Sequence, residues 1–182
     1  GFDPPHRAHL ELPALVRARV GADFILYIPA ARTPLKDEGP FAPDADRLEM
    51  LRLALREIDG AALTNLELVR GGTSYTIDTL RSLRGLLGDG ASFRLLIGAD
   101  QARSFHRWKA AREVVELAEP VVMRRPDDDG DLLEAMRPHW ASEEMEAWEG
   151  RLVETPLVDV SSTAIREALR TGGVDDEVVR RS

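Results

Sequence analysis

The 182-residue chain predicts an α/β fold, a parallel sheet with helices on both faces, and three observations carry that expectation. Short runs, the continuously apolar Phe24-Ile25-Leu26-Tyr27-Ile28 and the largely apolar Phe93-Arg94-Leu95-Leu96-Ile97-Gly98 among them, have the length of buried strands. Longer segments with apolar residues at helical spacing separate these runs. Strand and helix then alternate along the chain, and parallel strands need crossover helices of that kind.

Taken in order, Leu10 to Val20 reads as a helix despite Pro13, and the run from Phe24 ends at Pro29 as a strand. Ala30 to Pro43 is a proline-rich loop carrying Lys36. The stripe Leu48, Leu51, Leu55, Ile58 predicts a helix from Asp44, with Asp44 as a possible cap. Leu63 to Val69 reads as a strand, and Ser74 to Leu87 as a helix with Ile77, Leu80, Leu83 and Leu87 turned inward. The strand from Phe93 ends in the turn Gly98-Ala99-Asp100. A helical pattern follows from Trp108 to Leu117, then a strand from Pro120 to Arg124. Asp127 to Asp131 is an acidic turn whose spacing fits a solvated cap rather than a calcium loop. The segment to Gly150 has helical character, Leu157 and Val158 read as the end of a buried strand, and Ile165 and Leu169 as the apolar face of a last helix. With no internal repeat and no linker, residues 1–182 read as one Rossmann-like domain.

Composition narrows the function. Hydrophobic residues make up 43% and charged residues 31%, as in ordinary globular proteins. A net charge of −8 argues against a broad nucleic-acid surface and against an anionic membrane, yet leaves room for a local basic pocket. No apolar run is long enough to span a bilayer, and no signal peptide is visible. The absence of cysteine excludes disulfides, thiolate catalysis and cysteine-ligated metals, and fits a cytoplasmic protein.

Two stretches carry chemistry. In Gly-Phe-Asp-Pro-Pro-His-Arg-Ala-His-Leu, His6 and His9 stand three apart where a proline turn gives way to a helix, which sets both rings on one face of its first turn. Unpaired N–H groups and the dipole at a helix start favour a phosphate, and imidazoles there add donors. An isolated pair of this kind is more often incidental on a surface helix. Near the other end, Val160-Ser161-Ser162-Thr163-Ala164-Ile165-Arg166 offers Ser161 or Ser162 as N-cap, a further hydroxyl on Thr163, and the Arg166 fork one turn on. Alone, this too is an ordinary capped helix.

Together the two ends resemble the nucleotidyltransferases with a His-x-Gly-His signature, and among them the bacterial nicotinate-nucleotide adenylyltransferase family. The resemblance runs in order through Pro34-Leu35-Lys36, Arg47 with Met50, Gly72 to Leu80, Gly98-Ala99-Asp100, Trp108-Lys109 and Arg125-Pro126. Ala8 replaces the glycine of the family's His-x-Gly-His signature, and Leu35 stands where the family often has histidine. The family also has a short first strand before the opening loop, so the expectation is that this strand is missing from the chain.

The resemblance implies adenylyl transfer from ATP to nicotinate mononucleotide in NAD biosynthesis. His6, His9 and Arg166 are its implied catalytic residues. It gives ATP to His6, His9, Asp100, Ser162, Thr163 and Arg166, and the mononucleotide to Lys36, Thr76 and Trp108. Magnesium is expected to travel with ATP and not in a protein cage, and no protein ligand for it is assigned. Each residue also has a plainer reading: Lys36 as a loop lysine, Asp100 as a turn former, Trp108 as core, Thr76 and Arg47 as helix surface, and Arg47 is left outside the site. Competing functions are a sister enzyme acting on nicotinamide mononucleotide or phosphopantetheine, and a nucleotide-binding module without catalysis.

Overall fold

Parallel pairing organises the strands, as the alternating pattern predicts. The computed structural model describes residues 2–34, 39–126 and 132–171. Lys36 and the acidic turn at 127–131 lie outside these residues. The chain forms two compact units, Gly1–Ser74 with Val158–Ser182, and Tyr75–Leu157.

The first unit opens with helix α1 (Arg7–Val20), capped at its end by Gly21 with φ of 63°. Only glycine adopts that left-handed backbone without strain, so the helix stops there. Strand β1 (Ile25–Tyr27) pairs in parallel with β2 (Ala61–Leu63), and α2 (Asp44–Ala54) lies between them in sequence. Pro43 occupies the N-cap of α2, and Asp44 is its first residue. Tyr27, Leu51 and Leu55 form the core of this unit, with Phe2, Leu10, Ile25, Ile58, Ala61 and Leu63 packed around them. The expected strand at 63–69 is corrected: after Leu63 the chain turns at Asn65 into a short helix, α3 (Leu66–Arg70). Its Leu-Glu-Leu-Val stretch fits either period over so short a window, and Gly71 closes the turn.

The second unit carries α4 (Thr76–Leu87), β3 (Arg94–Gly98), α5 (Ala99–Arg103), α6 (Ala111–Leu117), β4 (Glu119–Arg124), α7 (Leu132–Met136), α8 (Ser142–Gly150) and β5 (Leu152–Glu154). Its three strands form a parallel sheet in the order β3-β4-β5. Ile77, Leu80, Ile97, Phe105, Val122, Met136 and Trp148 are among the buried residues of its core. Leu87, expected inward, is 52% exposed at the end of α4. The buried strand expected to end at Leu157 and Val158 stops earlier, at Glu154, and Leu157 is 56% exposed. Thr155 still donates its N–H to the Arg124 carbonyl, but the next rung of the parallel ladder would need an N–H at residue 126, and Pro126 has none.

The last helix, α9 (Ser162–Arg170), belongs to the first unit and buries Ile165, while Leu169 is 49% exposed rather than part of an apolar face. The expected single sheet is thus two hydrogen-bonded groups of parallel strands flanked by helices.

Candidate active site

In the first unit the opening loop meets the start of α9. His6 is the N-cap residue of α1, with extended backbone. Its ring stacks on that of His9, centroids 3.7 Å apart and planes 25° from parallel. The His9 N–H donates to the His6 carbonyl at 2.8 Å, and the His6 N–H donates to Nδ1 of His9 at 3.3 Å. With Nδ1 accepting, the neutral ring carries its proton on Nε2. Burial, followed by the like charge of His6, pushes the His9 pKa down to about 3. His9 is therefore a neutral imidazole with one N–H to give.

Two further contacts hold His9. The Tyr27 hydroxyl donates to its carbonyl at 3.1 Å, and Phe2 presents an edge to its ring at 5.0 Å. Burial raises the Tyr27 pKa to about 12, so this hydroxyl keeps its proton. Ala8, at the position of the signature glycine, is buried.

The motif at the other end of the chain joins this loop by hydrogen bonds across more than 150 residues of sequence. Ser161 takes the cap of α9, its Oγ accepting the Ala164 N–H at 3.1 Å. That frees Ser162, whose hydroxyl donates to the Pro4 carbonyl at 2.9 Å. Arg166 donates through Nη1 to the Asp3 carbonyl at 2.7 Å and through Nη2 to Thr163 Oγ1 at 3.1 Å. A guanidinium has five N–H donors, so three remain for a ligand. The Asp3 carboxylate in turn accepts the N–H groups of Phe41 at 2.6 Å and Ala42 at 3.0 Å. His6, His9, Ser162, Thr163 and Arg166 are thereby brought to one place in this unit, two helix starts with their donors.

In the second unit, Thr76 begins α4 behind the N-cap Tyr75. The N–H groups of Thr76 and Ile77 fall in the first turn, where the helix itself supplies no acceptor. Trp108 is half-buried, with one face stacked on Phe105 at 4.6 Å, which decides against a wholly core role. Its neighbour Lys109 bonds the Asp78 carboxylate at 2.9 and 3.3 Å and lies 4.5 Å from the Tyr75 ring centroid. That ion pair ties the Trp108 turn to the start of α4, so Thr76 and Trp108 belong to joined segments. Asp100 is exposed on α5, directly after β3, and its carboxylate has no hydrogen-bond partner among the described residues.

Sequence reasoning missed two contributors, and the burial of a third residue. Asp3 was legible only as part of a turn, since its amide partners lie 38 and 39 residues away. Tyr27 read as strand core. Arg47, read as helix surface, is 1% exposed and bonds Asp44 at 2.6 Å; an arginine inside an otherwise regular apolar stripe is the signal that could have marked it. Among the described residues no group of three or more His, Cys, Asp or Glu side chains could hold a metal ion, and no helix is long and apolar enough to cross a membrane.

A family model described as cytidylyltransferase-like matches residues 1–168. A probable nicotinate-nucleotide adenylyltransferase of Dehalococcoides mccartyi is 32% identical over 174 residues, covering 94% of this chain and 82% of the relative. One of Marinobacter nauticus is 35% identical over 180 residues, covering 94% and 83%. Among solved structures, a Plasmodium falciparum nicotinic acid mononucleotide adenylyltransferase complexed with NaAD matches with a TM-score of 0.65 at 16% identity, covering 92% of this chain and 80% of that one, a likeness of fold. The chain belongs to the cytidylyltransferase-like family and, within it, groups with the nicotinate-nucleotide adenylyltransferases.

Proposed function

We propose that this chain transfers the adenylyl group of ATP to nicotinate mononucleotide, giving nicotinate adenine dinucleotide and pyrophosphate, and that residues 1–182 act as one nucleotidyltransferase domain. The observation that carries the reading is the meeting of the two motifs: Ser162 and Arg166 bond the Pro4 and Asp3 carbonyls of the loop that leads into His6 and His9.

The nucleophile is the phosphate of the mononucleotide, already largely dianionic at neutral pH, so no strong general base is needed. One of its oxygens bonds to the α-phosphorus of ATP as the bond to the bridging oxygen of the β-phosphate breaks, and pyrophosphate leaves with that electron pair. The protein's task is to hold two anions in line and to meet the charge that develops on the leaving group. His9, a neutral donor at Nε2, serves the transferring phosphate together with His6 at the start of α1. Ser162, Thr163 and the remaining Arg166 donors serve the β- and γ-phosphates. Asp100 accepts from the ribose hydroxyls of the adenosine. Magnesium would accompany the triphosphate and would offset part of its charge; no protein ligand is assigned to it. A cytoplasmic setting, where ATP is supplied, is part of this reading.

The mononucleotide is assigned to Thr76 and Trp108, with Lys36 as a further phosphate contact. Nicotinate exchanges the amide of nicotinamide for a carboxylate. The Thr76 hydroxyl and the first-turn N–H groups of α4 are donors; a carboxylate satisfies them, whereas the amide N–H₂ would face donors unpaired. One such mismatch costs about 1–3 kcal/mol, roughly tenfold or more in efficiency. Pyrophosphate release measured with ATP and a panel of mononucleotides tests the reading. Nicotinate mononucleotide should exceed nicotinamide mononucleotide at least about tenfold in kcat/KM; equal efficiencies would remove the specificity, and no release with any member would remove the activity.

A further inference from the structure

Pro13 lies inside α1, four residues after His9. In a regular helix the N–H of residue 13 would bond the carbonyl of residue 9. Proline has no N–H, and its ring crowds the carbonyl four residues before it. The His9 carbonyl therefore lacks the helical partner that residue 13 would supply. The Tyr27 hydroxyl meets it at 3.1 Å, from the end of β1. Tyr27 is 3% exposed, its ring lies 5.9 Å from that of Phe2, and Phe2 in turn edges the His9 ring. The core of the first unit thus holds His9 from both sides, through its backbone and its ring.

We propose that Tyr27 is a positioning residue for His9, made necessary by Pro13: its hydroxyl replaces the missing helical hydrogen bond and fixes the turn that presents the His9 imidazole. This rests on the adenylyl-transfer reading for its effect on rate. The device itself can be read without substrate. A fixed donor at a phosphate gains its effect from placement, and a displacement of about 1 Å can cost on the order of a hundredfold. Tyr27 touches no substrate in this account, so its loss should cost less than that of His9 and should fall on kcat.

The test pairs Tyr27→Phe, which removes one oxygen and keeps the ring, with Pro13→Ala, which returns an N–H to the helix. In pyrophosphate release with ATP and nicotinate mononucleotide, Tyr27→Phe should lower kcat about tenfold, a loss between none and that full displacement penalty. Both KM values should stay within about threefold, a split that general loosening of the fold would not give. Adding Pro13→Ala should recover kcat to within about threefold of wild type, because the helix then pairs its own carbonyl. Independently of activity, the His9 imidazole resonance in NMR should shift in Tyr27→Phe and return in the double variant. If Tyr27→Phe does not fold, the double variant carries the test and should fold and turn over. A kcat within twofold of wild type in Tyr27→Phe, an unmoved His9 resonance, or no recovery with Pro13→Ala would overturn the proposal. A wild-type chain that releases no pyrophosphate while the resonance behaves as described would overturn the functional reading and leave the device standing.

Discussion

The molecule contains two stacked histidine pairs, alike in their rings and different in what surrounds them. His6 and His9 have ring centroids 3.7 Å apart; His106 and His139, in the second unit, have theirs 3.5 Å apart with planes within 12° of parallel. Burial and the neighbouring imidazole lower the pKa of both His9 and His106. Close packing of two imidazoles disfavours a second positive charge wherever it occurs, so neither stacking nor a lowered pKa marks a reactive site. The surroundings do. His6 and His9 start a 14-residue helix, and a hydroxyl and a guanidinium from α9 bond the loop before them. His9 is fixed by hydrogen bonds at Nδ1 and at its carbonyl. His106 and His139 sit on two separate three-residue turns of 3-10 helix. On the proposed function the first pair presents a donor to an anion, whereas the second only joins two short turns by ring stacking.

The sharpest way to break this comparison is to remove one ring from each pair. His9→Ala should lower kcat at least about 10²-fold, the scale of losing a preorganised donor to developing charge. His106→Ala should leave kcat within about twofold. Pyrophosphate release under saturating substrates measures both, and equal losses in the two variants would erase the distinction. A smaller effect is expected at Arg166. Arg166→Lys keeps the charge but loses the planar fork that reaches the Asp3 carbonyl and Thr163 together. The KM for ATP should rise about tenfold, with a lesser change for the mononucleotide; an unchanged ATP titration would leave Arg166 as a clasp between α9 and the opening loop and nothing more.

The same contrast shows what a sequence discloses. Features set by near neighbours were legible: the start of α1 at the proline turn, the cap of α9 at one of two serines, and the strands at Ile25, Arg94 and Glu119 to within a residue. The strand expected at 63–69 failed because the short stretch Leu66 to Val69 fits two periods, and the one expected to end at Leu157 and Val158 because the weight of Pro126 was not counted. The partners of His9 were illegible for another reason. Tyr27 lies 18 residues from His9, and Ser162 lies 158 from Pro4, so no local pattern announces either bond. Lys36 and the acidic turn lie outside the described residues.

The account turns on His9 being a neutral donor through Nε2 that meets the phosphates of ATP. A pKa lowered to about 3 from an ordinary 6.5 keeps the folded ring uncharged at every pH above that lowered value, so no loss of rate on acidification between about pH 7 and 5 should trace to His9. Nitrogen-resolved NMR of the histidine side chains, recorded across that range with and without a non-hydrolysable ATP analogue, measures this directly. The His9 ring should stay neutral with its proton on Nε2, and the analogue should shift that N–H signal while leaving His106 and His139 in place. A His9 that titrates near 6.5, or that is unmoved by the analogue, would contradict the account.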